Sequence, residues 1–362
     1  YRTLEKPEDR EEIAKFWGID PEFFPKKRGL TETDIFPAIE TGEIKGLWLV
    51  ATNPMTSMPN TPRIRKTLEK LELLVVQDAY TDVETNQYAH IFLPAGIWAE
   101  KEGVFTNTER RVNLTRQVKQ PYAESKSDMQ IFNELAKRFE NGKVIRFPEK
   151  PAEVFEEMKQ LSKGRLCDIS GMSHDLIEQK RGIQWPYTEE HAAQDAKGTQ
   201  RLYTKPATFC YPDGRAKLIP LPFINNNEIP DGQFPFWLNS GRLVEHWHTR
   251  TKTGKIGNNN KFSPIPFMEM NPDAADEMGI KHQSYVRVTS RRGDAVVMVM
   301  LTHRVPKNMV FIPFHFYDCV NRLTLGLLDP HSRQPAFKQS AVAIEQVDQD
   351  FAAQLSKESR TY

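Results

Sequence analysis

The sequence predicts a mixed fold in which a parallel α/β domain is followed by a closed β-barrel domain. Two observations carry that reading. Within the first 150 residues, three continuous apolar runs of strand length alternate with helix signals. From about residue 233 onward the signals are short strands, with one short helix among them. Between these regions, over residues 140–232, periodicity fades and Pro, Gly, Asn and Lys are frequent.

Taken in order, "TETDIFPAIETGEIK" offers Thr and Asp cap candidates before a short helix. "GLWLVAT" (46–52), "LLVVQDA" (73–79) and "AHIFLPA" (89–95) read as strands buried on both faces. "NTPRIRKTLEKLE" sets Pro62 near a helix start and spaces Ile64, Leu68 and Leu71 along one face. Strand, helix, strand at this spacing implies right-handed βαβ crossovers and a parallel sheet. In "SDMQIFNELAKRF", Ser127 and Gln130 form a capping box before an amphipathic helix. The middle region is expected to connect, with one or two helices, "PAEVFEEMKQL" being the better one. Beyond it, "FPFWLNSG" leads in, and "MNPDAADEMGI" is a short helix with Asn271 as cap, Pro272 first and Gly279 past its end. "SYVRVTSRRGDAVVMVMLT" reads as two strands around a Gly-containing turn, followed by the strands of "MVFIPFHF" and "QSAVAIEQV". Many short strands with one helix imply a closed barrel.

Composition narrows the function. The chain has 362 residues, 49 Lys+Arg against 48 Asp+Glu, and a formal net charge of +1, which argues against a general nucleic-acid or membrane-surface binder. No apolar run approaches the length of a membrane span. The three cysteines Cys167, Cys210 and Cys319 are far apart with no CxxC pair, so an iron–sulfur or zinc-ribbon site within this chain is not expected. Sparse, unpaired cysteine fits a reducing compartment. Tyr1 opens the chain without an initiator methionine, and the expectation is a piece of a longer protein.

Donor-rich chemistry concentrates in "SGRLVEHWHTRTKTGKIG" (240–257), where Glu245 is the single acid. Gly241 allows close approach of a ligand to the backbone, while Ser240 and Arg242 supply phosphate or carbonyl donors. His246 and His248, two apart, would point the same way on a strand. A metal site needs at least three protein ligands, and no nearby acid or cysteine supplies the third, so no metal ligand is assigned. A solvated basic loop is the plainer alternative; a donor array facing an anionic, heteroatom-rich ligand fits better. In an open parallel sheet, ligands bind beyond the carboxyl ends of the strands. Asn53, Gln77, Asp78 and Lys101 stand at those ends, and an aspartate carboxylate suits the paired donor edge of guanine. The absence of GxGxxG removes the nicotinamide or flavin fingerprint.

These segments resemble the C-terminal half of molybdopterin oxidoreductases of the dimethyl-sulfoxide-reductase superfamily. The pieces that carry the resemblance are "LWLVATNPMTSMPN", "VVQDAYTDVETNQYAHIFLPAGIWAEKEGVFTNTERR", "SGRLVEHWHTRTKTG" and "VNRLTL…FKQSAV". "CDISGMSHDLIEQKRGIQWP", "GTQRLY" and "PDGRAK" make it most similar to the cytoplasmic assimilatory nitrate reductases. The resemblance implies a Rossmann-like parallel α/β domain within 1–145, a connecting region over 146–232, a double-psi-type barrel over 233–350 and a tail over 351–362. It implies molybdenum held by two molybdopterin guanine dinucleotides. Asn53, Gln77, Asp78, Lys101 and Asp128 then match positions that hold one guanine dinucleotide. Ser240, Gly241, Arg242, Leu243, Val244, Glu245, His246, Trp247, His248 and Thr249 match the loop that wraps pterin and phosphates. Asn321 and Lys338 match two further pterin-site positions, and Phe314 an aromatic near the substrate, with a gap in the alignment there.

The same resemblance implies reduction of nitrate to nitrite by oxygen-atom transfer, with ferredoxin, flavodoxin or an NADH-linked protein as electron donor. It places the enzyme in the cytoplasm, with no nucleic-acid or membrane partner. Arg250, Lys252 and Lys255 are candidates to draw in the anionic substrate or to anchor phosphates. The family's 4Fe–4S domain and molybdenum ligand would lie outside this chain, which alone would not turn over. Two alternatives are a formate dehydrogenase of the same superfamily and a non-catalytic scaffold subunit.

Overall fold

A computed structural model describes residues 2–139, 147–198, 202–203, 209, 211, 213–223 and 228–348. The chain packs as two compact units, the first comprising Tyr1–Gly29 and Leu93–Pro222, the second Leu30–Phe92 and Phe223–Tyr362. The units interleave along the chain, so neither coincides with one of the consecutive segments drawn from sequence.

Strands β1 (Gly46–Val50) and β2 (Leu73–Asp78) run parallel in register from Gly46 opposite Leu73 to Val50 opposite Gln77. They belong to a three-stranded sheet of order β1-β2-β3, in which β3 is Ile91–Pro94. The helix Thr61–Leu68 makes the crossover, with Pro62 in its first turn, where an N–H would have no intrahelical acceptor. Its apolar stripe does what the spacing predicts. Ile64, Leu68 and the following Leu71 are buried against Leu49, Leu74 and Val76, each contributing about 2 kcal/mol by apolar burial.

The first unit contains β4 (Gly103–Phe105), β5 (Arg111–Thr115) and β6 (Ile183–Gln184), an antiparallel trio of order β4-β5-β6. The stretch expected only to connect takes part in this core. Helices Pro151–Ser162, His174–Gln179 and Glu189–Ala193 form within it, and Phe155, Ile169, Met172, Ile177, Ile183 and Tyr187 are buried together with Val112 of β5. The first of these helices is the one expected from "PAEVFEEMKQL"; the two shorter helices and β6 carry too few turns or alternations for a periodic signal. The capping box is present: Ser127 Oγ accepts from Gln130 N at 3.2 Å, and Gln130 Oε1 accepts from Ser127 N at 3.0 Å.

The rest of the second unit is a closed six-stranded barrel. Its strands are β7 (Phe236–Gly241), β8 (Phe267–Met270), β9 (Tyr285–Thr289), β10 (Asp294–Leu301), β11 (Met309–Pro313) and β12 (Ser340–Gln346). Around the barrel the order is β10-β8-β11-β7-β12-β9. Alternation aims Val286 and Val288 of β9 and Ala295, Val297 and Val299 of β10 inward, where they meet Leu238, Met268, Val310, Ile312 and Val342. Asn271 caps the short helix Pro272–Glu277 by accepting from Asp273 N at 3.0 Å, and Gly279 follows with φ +67°. That conformation suits glycine because no Cβ opposes it.

A buried ion pair ties the segment before the barrel to its wall. Arg292 donates to both oxygens of Glu228 at 2.6 and 2.8 Å, and Ala341 N donates to Glu228 Oε1 at 2.7 Å. Among the described residues, no helix is long and apolar enough to cross a membrane.

Candidate functional site

Strand pairing decides which loops meet. β7 and β11 are parallel, with Ser240 opposite Ile312 and Gly241 opposite Pro313. Their carboxyl ends therefore coincide, and the loops leaving Gly241 and Pro313 start side by side. β12 runs antiparallel to β7 with Ser340 opposite Leu238, so its amino end arrives at the same rim. Three short bonds close this rim. Ser240 Oγ donates to Phe337 O at 2.8 Å, Phe314 N donates to Gly241 O at 3.1 Å, and the Lys338 ammonium donates to Ser240 O. Gly241 is required by packing. A Cβ there would stand 2.7 Å from Cε2 of Phe311, inside any normal contact distance.

β7 ends at Gly241, so Arg242–Thr249 is a loop. This corrects the expectation that His246 and His248 share a strand face. His246 is buried, its Nε2 2.8 Å from Ser263 O and its Nδ1 3.2 Å from Thr253 Oγ1. The carbonyl can only accept, so Nε2 carries the proton, and the ring braces the loop from within. Burial holds it below the ordinary histidine pKa; Arg250 adds to this, against the Ser263 carbonyl and Glu245. His248 is exposed and takes φ +43°. Val244 and Trp247 are exposed at 98% and 59%, surface that a bound group could cover.

Among the described residues Arg242 and Arg250 make no ion pair with a carboxylate, whereas Lys255 of the same stretch is paired to Asp82. The Arg242 guanidinium lies 6.0 Å from the Trp247 ring centre and 5.9 Å from that of Phe314. Arg250 sits 4.9 Å over Phe316 and donates from Nη2 to Asn260 Oδ1 at 2.9 Å. Its buried Nε has no hydrogen-bond partner among the described residues. Burial lowers the Arg250 pKa, opposed only by the more distant charge of Glu84. Lys338 is likewise lowered, by burial first and by repulsion from Arg242 second. Desolvated cations without hydrogen-bonded counter-ions are costly unless an anion completes them. The donor set therefore fits a pyrophosphate-bearing group.

The strand ends of the α/β part of this unit form a second polar cluster. Asn53 follows β1, is 7% exposed, and uses both amide hydrogens, on Glu84 Oε2 at 2.7 Å and Thr56 Oγ1 at 3.1 Å. Its Oδ1 accepts from Thr85 Oγ1 at 2.7 Å. Asn321, 8% exposed, donates to Thr56 O at 2.7 Å and accepts from Thr324 Oγ1 at 3.0 Å. Thus Thr56 joins two candidate positions 268 residues apart in the chain, 53 and 321. Gln77 is fully buried at the end of β2, and Asp78 Oδ1 accepts from Tyr80 N at 3.0 Å, fixing the turn that follows. In the first unit, Lys101 is ion-paired to Asp128 at the start of the helix Asp128–Ala136. Both line a cleft of about 830 Å³ together with Ser127 and Gln130.

Sequence reading missed His315, Glu84, Thr85 and Thr56. His315 is wholly buried and hydrogen-bonds the backbone at both Leu243 and His248. Each is an ordinary residue type, and only the fold reveals its partners. A histidine between two phenylalanines in "PFHF" was the one visible signal.

A barrel rim carrying cations and an exposed loop, with a polar cluster at the parallel strand ends of the same unit, has the chemistry of a site for an anionic, heteroatom-rich group. Residues 236–341 match the "Molydopterin dinucleotide binding domain" model, and residues 22–138 match the "Molybdopterin oxidoreductase" model. The chain belongs to the molybdopterin oxidoreductases and fits the dimethyl-sulfoxide-reductase superfamily. It is 38% identical over 353 residues to a nitrate reductase of Synechocystis sp., covering 96% of this chain and 49% of that protein. It is 35% identical over 350 residues to the assimilatory nitrate reductase catalytic subunit of Bacillus subtilis, covering 95% and 48%. An F420-dependent formate dehydrogenase subunit alpha of Methanocaldococcus jannaschii is 34% identical over 92% of this chain and 47% of its own length. The chain thus spans about half the length of the curated relatives it matches. Among solved structures, acetylene hydratase from Pelobacter acetylenicus matches with a TM-score of 0.66 over 95% of this chain and 50% of its own, at 18% identity, a likeness of fold alone.

Proposed function

We propose that the chain is the cofactor-holding part of a molybdenum nitrate reductase that uses a bis(molybdopterin guanine dinucleotide) centre. The observation that carries the reading is the set of three cations at the barrel rim, exposed Arg242, Lys338 on the Ser240 carbonyl and Arg250 with its buried Nε unpartnered among the described residues, in a chain bearing the family's dinucleotide-binding domain. When bound, such a centre supplies two-electron oxygen-atom chemistry, which for nitrate yields nitrite. This chain's own residues would bind and orient the group. Lys338, Arg242 and Arg250 would meet its phosphates, and backbone groups of Ser240–Thr249 its ring heteroatoms. Asn53 and Asn321 would act through the Thr56 cluster, because the amide hydrogens of Asn53 are already used within the protein. Gln77 and Asp78, and in the first unit Lys101 and Asp128, are carried over from the family as dinucleotide contacts. Phe314 borders the rim and is the weakest of the set.

Relatives named nitrate reductase at 38% and 35% identity favour nitrate as substrate. An assimilatory, cytoplasmic role with ferredoxin, flavodoxin or an NADH-linked donor rests on the motif resemblance and on one assimilatory relative. On the same reading a 4Fe–4S cluster and the molybdenum ligand belong to the rest of a longer catalytic subunit. Formate oxidation is the second reading, favoured by the formate dehydrogenase relative at 34% identity.

Viologen-linked turnover of the full-length protein separates them. Nitrite formed from nitrate with reduced viologen supports the proposal. Formate oxidation without nitrate turnover keeps the cofactor site and replaces the substrate. Silence in both from protein that contains molybdenum indicates a third substrate, and silence without molybdenum returns the scaffold reading.

A further inference from the structure

Two residues beyond β11, the ring of His315 is completely buried and touches the donor loop at both ends. Leu243 N donates to its Nε2 at 2.8 Å, and its Nδ1 lies 2.6 Å from His248 O. A backbone N–H only donates and a carbonyl only accepts. One species satisfies both contacts: a neutral imidazole with its proton on Nδ1 and a lone pair on Nε2. The protonated ring would turn a donor toward the Leu243 N–H, and the other neutral tautomer would oppose both partners.

We propose that His315 is the positioning residue that sets the shape of the loop Leu243–His248, acting as the Nδ1-protonated neutral imidazole. That this loop serves the cofactor rests on the function proposed above; the latch itself stands on the two bonds.

The rest of the loop shows why a latch is needed. Val244 is almost fully exposed and packs on little, so it cannot hold the chain. His248 sits at φ +43°, a conformation unfavourable for a residue with a Cβ, and its inward carbonyl is the group His315 receives. The outer turn is pinned separately, through His246 to Ser263 and through the Glu245 carbonyl to Asn259. With both anchors made, the backbone amides at the rim are preset before any ligand arrives, which lowers the ordering cost of binding. The charged and titratable groups around the ring are His246, Arg242 and His248, all of which disfavour a further positive charge, while the His248 carbonyl favours it. Burial is the largest cause that holds its pKa below the ordinary histidine value, ahead of these charges. As pH falls below about 6.5, the ordinary histidine value, a released ring takes a proton that the latched ring refuses, so acid favours the open loop.

The test uses the full-length, cofactor-containing protein and three variants. H315Q can place a carbonyl oxygen near the Nε2 position and accept from Leu243. H315N can donate near the Nδ1 position to His248 O but cannot reach Leu243. H315F keeps the bulk and makes neither bond. Hydrogen exchange across residues 242–250 should quicken by about tenfold or more in H315F, with Leu243 protected again in H315Q and not in H315N. In the wild type, ¹⁵N imidazole resonances should show Nδ1 protonated and Nε2 unprotonated at neutral pH. Unchanged exchange in H315F, or an Nε2-protonated wild-type ring, overturns the latch. If H315F does not fold, the wild-type tautomer and the contrast between Gln and Asn still decide. Pterin content, measured on the same samples, separates the two readings. Lost protection with full pterin content keeps the latch and removes this loop from cofactor binding.

Discussion

Replacing Asn53 with Ala tests whether the polar cluster behind the proposed site is structural in its own right. The substitution removes a hydrogen bond to the Glu84 carboxylate at 2.7 Å, one to Thr56 Oγ1 at 3.1 Å and one from Thr85 Oγ1 at 2.7 Å. A bond to a charged group is worth about 1.5–3 kcal/mol net and a neutral one about 1 kcal/mol. Relaxation of Thr56 onto Glu84, already 3.3 Å apart, recovers part of that. The expected cost is about 3 kcal/mol, which lowers Tm by about 4 °C if the 362 residues of the chain unfold as one unit. The assay is thermal unfolding of the full-length protein, with and without cofactor. A positioning residue lowers both forms alike, whereas one that also touches the cofactor lowers the loaded form further. Asn53→Asp is the companion variant. It sets a second carboxylate beside Glu84, and like charges there raise the pKa of the pair. A raised acid pKa means stability is present at low pH and lost as pH climbs, so this variant should be more stable at about pH 5 than at about pH 8. A cofactor-free Asn53→Ala protein melting within about 1 °C of wild type would refute the structural reading.

Breaking the buried Glu228–Arg292 pair by Glu228→Ala should cost about 3–5 kcal/mol, read by denaturant unfolding, because Arg292 is left without its carboxylate. Burial pushes the Glu228 pKa up, but Arg292 and the Ala341 N–H outweigh it and leave the carboxyl below its ordinary value. Its contribution is therefore present above about pH 4.3 and lost as pH falls through the lowered pKa; wild type and variant should converge in stability there. Gly241→Ala drives a methyl to 2.7 Å from the Phe311 ring, and about 1–3 kcal/mol of overpacking should appear as lower Tm and faster exchange in residues 242–250. Lys101→Met in the full-length enzyme should lower molybdopterin content, and unchanged content removes Lys101 from the site. Because Lys101 and Asp128 are each about one-third exposed, losing their ion pair should change the stability of the cofactor-free protein by less than about 1 kcal/mol, so a large Tm loss without cofactor would mark a structural role instead.

Several features needed no coordinates. The runs at 46–52 and 73–79 became β1 and β2, although burial on both faces is not met: in β1 only Leu49 is buried, and in β2 Leu74, Val76 and Gln77. The Ser127–Gln130 box and the Asn271–Pro272–Gly279 helix also formed where local chemistry put them. Caps and turns depend on residues within one helical turn, so they are legible in one dimension. The family, too, could be recognised from ordered motifs, since four of them in sequence carry more information than any single residue.

What tertiary structure alone decided were the partners. No local pattern foretold that Ile183–Gln184 would pair with Arg111–Val112, giving the supposed connector a place in a core. The strand reading of His246 and His248 failed because β7 ends at Gly241, where β11 and the Phe311 ring take over the packing. The tautomer of His315 depends on two backbone groups more than 65 residues away, at Leu243 and His248. Asn53 and Asn321 are expected from sequence as cofactor ligands, and only the fold shows their side chains bonded to Thr56. Sequence determined the elements and the family because those follow from side-chain type and short-range order. The fold determined which donors are occupied and which remain for a ligand, because hydrogen-bond satisfaction is settled only when distant segments pack.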